Sequence, residues 1–449
     1  MSSIVLSDSS LADQALDIAA LVSRSKPEAE RSDYINSWST RAAEAGEDQA
    51  KRDEVVQALA AEVKTLGDGT ERELEGAHNL LSAMILSVAD AETSQKLAEQ
   101  HISAVISESG AASAASPARE MVKYRILSNI FNTLPSTSPL REKIFLSMLD
   151  LAASNDEVDL LSPALASLPT WLAQWSIPES QKAAALETVA SKLESSGDNL
   201  TQKSYDFRLA HLTYLSTTPG AATSSEATKA AAEKTFATAL SLPKIFEFDA
   251  LLKLSAVESS LSSSSLFSLL KLLVQGSYQD WTKWIAEGSN ASDLSRLQVD
   301  KSVVERKVRL LEVASLCSRA VEAAKSSSSS AVKTSSDESA SAPSAPSSTA
   351  EVPYSQLSSA IDVPSSDVES WIIDVIRAGL ISGKLSQVNQ SLRVYRSTYR
   401  TFGREQWTLL EGRLQEWDRA IDGILATLGG ATRGQVNGVQ GSDAALVGA

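Results

Sequence analysis

The chain has 449 residues, 43% hydrophobic and 22% charged, enough for two or three ordinary domains with a sizeable core. Its net charge of −15, from 41 basic and 56 acidic side chains, excludes a generally basic nucleic-acid binder and leaves room only for a local basic patch. Aromatics are 5% of residues, and the excess of Ala, Leu and Ser favours helices and polar linkers over β-sandwiches or barrels.

The N-terminus, MSSIVLSDSSLADQ, lacks a basic leader and a long apolar core, so no signal peptide is expected and the cytoplasm is the default location. Leu11, Ala15, Ile18 and Val22 then recur at helical spacing, with Asp8 or Ser9 placed to cap the helix. Val56, Leu59, Val63 and Leu66 form a second stripe, ended by Gly67-Asp68-Gly69, and Leu81, Met84, Ile85 and Val88 a third. Ile126, Ile130 and Leu134 run to Pro135; Ile144, Met148 and Leu151 follow; Leu161, Leu165 and Leu168 reach Pro169; Leu186, Val189 and Leu193 stop near Gly197. A helix with one apolar face must pack on a neighbour, and sequential antiparallel pairs are the simplest arrangement. The expectation for residues 1–204 is an N-terminal helical-repeat region, an α-solenoid of helical hairpins with no fixed sequence period.

From Tyr205 the apolar pattern tightens, through IFEFDALLKL (245–254) and LFSLLKLLV (266–274) to Tyr278, Trp281, Trp284 and Ile285. The run Leu266–Val274 includes Lys271 and falls well short of the roughly twenty apolar residues of a membrane span, so no membrane contact is expected. A helix is predicted from about Ser302 to Ala324, with Val304, Val308, Leu311 and Ser315 on one face. The single cysteine, Cys317, lies in its second half. Alone it permits neither a disulfide within the chain nor a cysteine-built metal site, and it reads as a small buried hydrophobe. Residues 325–348 are Ser-rich with two prolines and almost nothing to bury, the composition of a disordered insert.

Beyond Pro353 the predicted elements are shorter. Tyr354–Ile361 reads as a helix, and Ser366 followed three residues later by Glu369 reads as a capping box. The helix it opens carries Val368, Trp371, Ile372, Val375 and Ile376, and Gly379 is placed to end it. Two extended stretches follow, Leu380–Leu385 and Ser391–Tyr399; in the second, Leu392 and Val394 alternate with Arg393 and Tyr395. Three helices and a two-stranded wing is the order of a winged helix, expected over about 301–400 with the Ser-rich insert between its first and second helices. Next, Trp407, Leu410, Leu414, Trp417, Ile421 and Ile424 are spaced 3-4-3-4-3, a heptad seam on a helix over 401–428 that Gly429-Gly430 should stop. The tail 429–449 reads as disordered.

No catalytic, cofactor-binding or metal residue is expected, and the chain reads as no enzyme. His78, His101 and His211 fall on three different helices with no partner at metal or catalytic spacing, and each reads as a partly exposed helix residue. HExxH, GxSxG, GxGxxG and the P-loop pattern are all absent. Six basic residues, Arg377, Lys384, Arg393, Arg396, Arg400 and Arg404, occur with no intervening carboxylate. Such a basic wing suits either the acidic surface of a neighbouring protein or, as a weak direct contact, the phosphates of RNA. The heptad seam can pack back on this chain or pair with helices of other chains.

Helical repeats leading into a winged helix and a terminal helix resemble the PCI-domain family, shared by the proteasome lid, the COP9 signalosome and translation initiation factor 3. RSTYRTFGREQW (396–407), DVESWIIDVIR (367–377), FDALLKLSAV (248–257) and Arg125–Leu134 followed by Leu140-Arg141 are similar to the subunit M family of eukaryotic translation initiation factor 3. Its "HRTFG-x-x-QW" pattern is met by Tyr399-Arg400-Thr401-Phe402-Gly403 and Gln406-Trp407, with Tyr399 where histidine is common. The resemblance implies an all-α solenoid, a PCI module over 205–400 and a terminal helix that joins a bundle. It also implies a non-catalytic scaffold that binds other subunits of that factor and the small ribosomal subunit, in support of mRNA and initiator-tRNA recruitment. The alternatives are a scaffold subunit of the signalosome or lid, and an RNA-binding winged helix.

Overall fold

The structure, a computed structural model, describes residues 10–107, 117–222, 224–331, 350–401 and 403–440. It divides into two compact units. The first runs to Thr238 and takes in Leu254–Ala256; the second comprises Ala239–Lys253 and the chain from Val257 onward. The sequence division expected at 204/205 falls inside a helix of the first unit.

The first unit is built from α1 (Leu11–Ser23), α2 (Glu28–Ala45), α3 (Gln49–Glu62), α4 (Glu71–Leu86), α5 (Ala91–Ile106), α6 (Pro117–Thr133), α7 (Leu140–Ser154), α8 (Ser162–Gln174), α9 (Glu179–Ser195), α10 (Thr201–Thr217) and most of α11 (Ser225–Ser241). Successive apolar faces close into one core running from Ala15 to Leu200. Packing is between near neighbours: α1 on α2 and α4, α4 on α5 and α6, α5 on α7, α7 on α9, α9 on α10. That is the stacking of a helical solenoid, in which each repeat buries its face only against adjacent repeats.

Three local expectations are revised here. Asp8 and Ser9 lie outside the described residues, and the N-cap of α1 is Ser10, whose hydroxyl accepts from the Asp13 amide at 3.3 Å. Pro169 does not end its helix: α8 continues to Gln174. The lost amide donor is offset by what lies beyond it, because Leu172 is buried and Trp171 packs on Phe131 and Phe145 with centroids 4.9 and 6.1 Å away. The histidines are buried rather than partly exposed, and two of them face each other. His78 on α4 donates from Nε2 to the Leu66 carbonyl (3.0 Å), which leaves its Nδ1 to accept from His101 Nε2 on α5 at 2.9 Å. The rings are stacked, 5.2 Å apart, and Ser82 Oγ lies 3.3 Å from His101 Nδ1. Burial depresses both pKa values, that of His101 well below the usual imidazole range. His211 is also buried, with Nδ1 3.3 Å from Glu187 Oε2.

The chain continues through α12 (Asp249–Leu252), α13 (Ser255–Leu261), α14 (Ser265–Gln275), α15 (Tyr278–Ala286), α16 (Gly288–Arg296), α17 (Lys301–Ala331), β1 (Ala350–Pro353), α18 (Tyr354–Ile361), α19 (Val368–Arg377), β2 (Ile381–Ser386), β3 (Ser391–Ser397) and α20 (Arg404–Gln440). α17 is the spine of the winged helix. Its buried Val304, Val308, Leu311 and Cys317 lie on a helix that packs against α18, α19, β1 and β3. Cys317 is fully buried and its thiol is pushed up to about 12 by desolvation, so it acts as an apolar residue. α17 runs through 325–331, the first part of the expected insert; residues 332–348 lie outside the described chain. Serine costs an elongating helix only a fraction of a kcal/mol per residue, so the tract need not stop it, roughly 0.5 on helix scales.

The sheet is antiparallel in the order β1-β3-β2. β1 is a strand that the sequence pattern does not announce. It is four residues long and pairs Ala350 with Val394 and Val352 with Leu392. The alternation in β3 holds: Leu392 and Val394 are fully buried, Arg393 and Tyr395 exposed. A bulge between Ser382 and Gly383 adds Tyr395 opposite β2, so that Arg396 faces solvent as Arg393 does. Gly383 is required there, because a Cβ would lie 2.6 Å from the Arg393 carbonyl oxygen. Gly379, at φ +76°, ends α19 as expected. The Ser366 capping box is absent: α19 starts at Val368 with no side-chain cap, and Glu369 accepts instead from Gln387 at the wing tip (3.0 Å).

Candidate interaction surface

The wing and α20 carry the chain's two candidate contact features, and the structure separates residues the sequence grouped together. Arg400 does not belong to the wing surface. Its side chain is only 9% exposed, and its guanidinium donates to the carbonyls of Leu272 (3.1 Å), Leu273 (2.7 Å) and Gly276 (2.8 Å) at the end of α14. It also reaches Ser315 Oγ at 3.3 Å and lies 3.9 Å from Glu312. The last carbonyls of a helix have no partner within it, and a cation there meets the negative end of the helix dipole. Burial lowers Arg400 to about 10, so it stays charged at neutral pH, while burial raises Glu312 against the opposing pull of Arg400. Arg400 therefore fixes the path from β3 into α20.

Arg393 is exposed but already paired. It donates twice to Glu351 Oε1 on β1, at 2.6 and 3.0 Å, and that carboxylate raises its pKa. Lys384 sits directly across from it on β2. Arg377, Lys384, Arg396 and Arg404 remain exposed. The sequence run of six thus resolves into one structural tie, one cross-strand pair and four exposed cations with no ion pair among the described residues. The neighbouring helix α19 is not basic. Asp367 and Glu369 flank its start, and Asp374 is held by Arg306 at 2.7 Å.

The seam on α20 is exposed throughout. Trp407 is 60% exposed, Leu410 37%, Leu414 56%, Trp417 69%, Ile421 55% and Ile424 60%. The chain's own described residues leave most of the seam uncovered. Leu428 (57%) continues the 3-4 spacing and Leu425 (60%) flanks it; the seam therefore extends past the six residues that the sequence marked. The helix begins after Gly403, whose amide donates to Gln406 Oε1 at 3.0 Å. It passes Gly429-Gly430 and ends at Gln440. An exposed glycine weakens a helix by about 1 kcal/mol but stops it only where a left-handed turn is imposed. Phe402 of the resemblance motif and residues 441–449 of the expected tail lie outside the described residues.

Among the described residues, no group of three or more His, Cys, Asp or Glu side chains is placed to hold a metal ion, and no helix is long and apolar enough to cross a membrane.

The family model for the PCI domain matches residues 344–396, the β1–β3 half of the winged helix. The family model described as "eIF3 subunit M, C-terminal helix" matches residues 400–428, which begin at Arg400 and end at Leu428 of the exposed seam. Eukaryotic translation initiation factor 3 subunit M of Aspergillus terreus is 30% identical over 388 residues, covering 85% of this chain and 76% of the relative. The protein of the same name from Aspergillus clavatus is 31% identical over 390 residues, 85% of this chain and 74% of that one. That from Coccidioides immitis is 28% identical over 383 residues. The chain belongs to the family of eukaryotic translation initiation factor 3 subunit M. This membership agrees with the helical solenoid, the winged helix and the terminal helix.

Proposed function

We propose that the chain is a non-catalytic scaffold subunit of eukaryotic translation initiation factor 3, working in the cytoplasm by assembly. Helical repeats lead into a PCI module, whose winged helix starts at about 301, and then into a partner helix that carries the seam from Trp407 to Leu428. The observation that carries this reading is the exposed seam of α20, whose six marked side chains are 37–69% exposed within the stretch matched by the subunit M terminal-helix family. Apolar side chains at heptad spacing gain free energy by leaving water against other helices, and two tryptophans on one stripe are the residue type that anchors interfaces. The wing contributes β2, an edge strand of the sheet, and the cations Arg377, Lys384, Arg396 and Arg404 for the acidic surface of an adjacent subunit. As part of the assembled factor, the chain supports small-ribosomal-subunit binding and recruitment of mRNA and initiator tRNA.

A direct RNA role for the wing is weaker, because Arg393 is paired to Glu351 and Arg400 is consumed by the α14 carbonyls. The helix beside the wing also opens with carboxylates, which repel phosphates. A scaffold role in the signalosome or lid is disfavoured by the match to the subunit M terminal helix. Mass spectrometry of what co-purifies with the tagged full chain tests the proposal. Stoichiometric subunits of initiation factor 3 with small-subunit ribosomal proteins are expected. Lid or signalosome subunits, or no stoichiometric partner, would overturn it.

A further inference from the structure

The second unit holds a cavity of about 540 Å3, of whose lining the proposed scaffold role uses only Arg396. It is lined by Ser318 and Val321 of α17, by residues 395–399 at the end of β3 and by Arg413 of α20. Two guanidiniums, Arg396 and Arg413, come to it from different elements. Among the described residues neither is paired with a carboxylate, in contrast to Arg393, Arg319 and Arg306 nearby. Among the described residues, no acidic side chain lines the cavity. Hydroxyls complete the lining. Ser318 is 8% exposed and Thr398 stands beside it; Ser397 donates to the Ala314 carbonyl at 3.0 Å, and Tyr399 is hydrogen-bonded with Glu322. The adjoining cleft carries Glu312 and Glu322, with Arg319 and Arg400 against Glu312.

Unpaired guanidiniums converging with hydroxyl donors in a recess form the chemistry of an oxyanion site, since planar N–H donors match phosphate oxygens bidentately. We infer that this cavity binds a phosphomonoester carried on a serine or threonine of a peptide. A phosphomonoester carries nearly two negative charges and three acceptor oxygens on one atom, so two arginines and a few hydroxyls saturate it. A nucleic-acid strand would instead need a track of cations along its backbone. The surface does not provide one: Arg393 and Arg400 are occupied, α19 opens with Asp367 and Glu369, and the chain as a whole is at −15. The phosphopeptide has two sources, another protein and this chain itself. Ser344, Ser347 and Ser348 precede Ala350 in sequence, and Ala350 pairs with Val394, two residues from Arg396.

The test is fluorescence anisotropy with the full chain and four labelled probes. These are a peptide of the sequence 340–349 phosphorylated at Ser348, its unphosphorylated twin, an unrelated phosphoserine peptide of equal charge, and a twelve-nucleotide oligouridylate. Phosphorylated peptide is expected to bind at least about tenfold more tightly than its twin, and Arg396→Gln and Arg413→Gln are each expected to weaken it about tenfold. Their thermal unfolding should match the wild type, since both side chains are on the surface. Binding of both phosphopeptides assigns the site to another protein's phosphoserine; binding of the chain's own sequence alone assigns it to this chain. Equal binding of phosphorylated and unphosphorylated twins, binding indifferent to both arginine variants, or loss on substitution confined to the oligouridylate would each overturn the inference.

Discussion

Replacing Leu414 and Trp417 with aspartate should release the chain from its complex and leave its own fold intact. Trp417 is 69% exposed and Leu414 56% exposed. A tryptophan offers up to about 250 Å2, so about 170 Å2 of Trp417 is available to a partner, worth about 4 kcal/mol at 25 cal/mol per Å2. Fully burying a leucine is worth about 1.5–3 kcal/mol, so the exposed part of Leu414 contributes about 1–1.5 kcal/mol. The double substitution then removes about 5 kcal/mol of apolar gain, between three and four decades in affinity, before the added cost of burying two carboxylates. Within the free chain the cost should stay near the propensity difference, about 0.5 kcal/mol per site. The assay is co-purification of the tagged variant, with circular dichroism of the isolated chain as the control. Full recovery of partners at unchanged stoichiometry would refute the reasoning, and so would loss of helicity in the isolated chain.

The remaining predictions concern the frame that presents this seam. Arg400→Met should lower the unfolding free energy of the second unit by about 3–5 kcal/mol in denaturant titration, because it removes the cation from the Leu272, Leu273 and Gly276 carbonyls and leaves the buried Glu312 with Arg319 alone, 3.6 Å away. A loss under about 1 kcal/mol would show that the tie is incidental. Gly383→Ala should disturb the wing, since its Cβ would meet the Arg393 carbonyl oxygen at 2.6 Å; a loss of about 1–3 kcal/mol is expected, read as faster amide exchange in β2 and β3. Acid should weaken the first unit through His78 and His101. Burial lowers both folded pKa values, so the unfolded chain binds protons first as the pH falls below about 6.5, and stability present above that pH is lost. The loss should approach about 1.4 kcal/mol per pH unit per histidine, and His78→Gln with His101→Gln should flatten the unfolding midpoint between pH 6.5 and 5. An unflattened profile would assign the acid sensitivity to other groups.

The parts of this architecture that local periodicity encodes are legible in the sequence. Leu392 and Val394 alternate with exposed residues, and that alone yields the strand and its buried face. The 3-4 spacing from Trp407 to Ile424 likewise yields the exposed stripe of α20, because a heptad pattern fixes which side chains share a face. Which stripe finds its partner within the chain is a long-range property, and only the exposures decided it. The same holds for the basic run. Arg393 and Arg400 are equivalent in sequence, yet one meets Glu351, 42 residues away, and the other the carbonyls of α14, more than 120 residues away. His78 and His101 are 23 residues apart on adjacent helices, at no spacing that a motif search recognises. β1 is invisible for the opposite reason: four residues ending in proline carry too little alternation to register as a strand until β3 supplies the ladder.

Amide hydrogen exchange on residues 404–428 tests the central claim most directly, compared between the isolated chain and the chain in its purified complex. The seam is exposed in the free chain, so α20 should exchange readily there and become protected by at least about tenfold in the complex, with the strongest effect around Leu414 and Trp417. Exchange in α20 that is the same in both states would contradict the claim that this helix joins the chain to its partners.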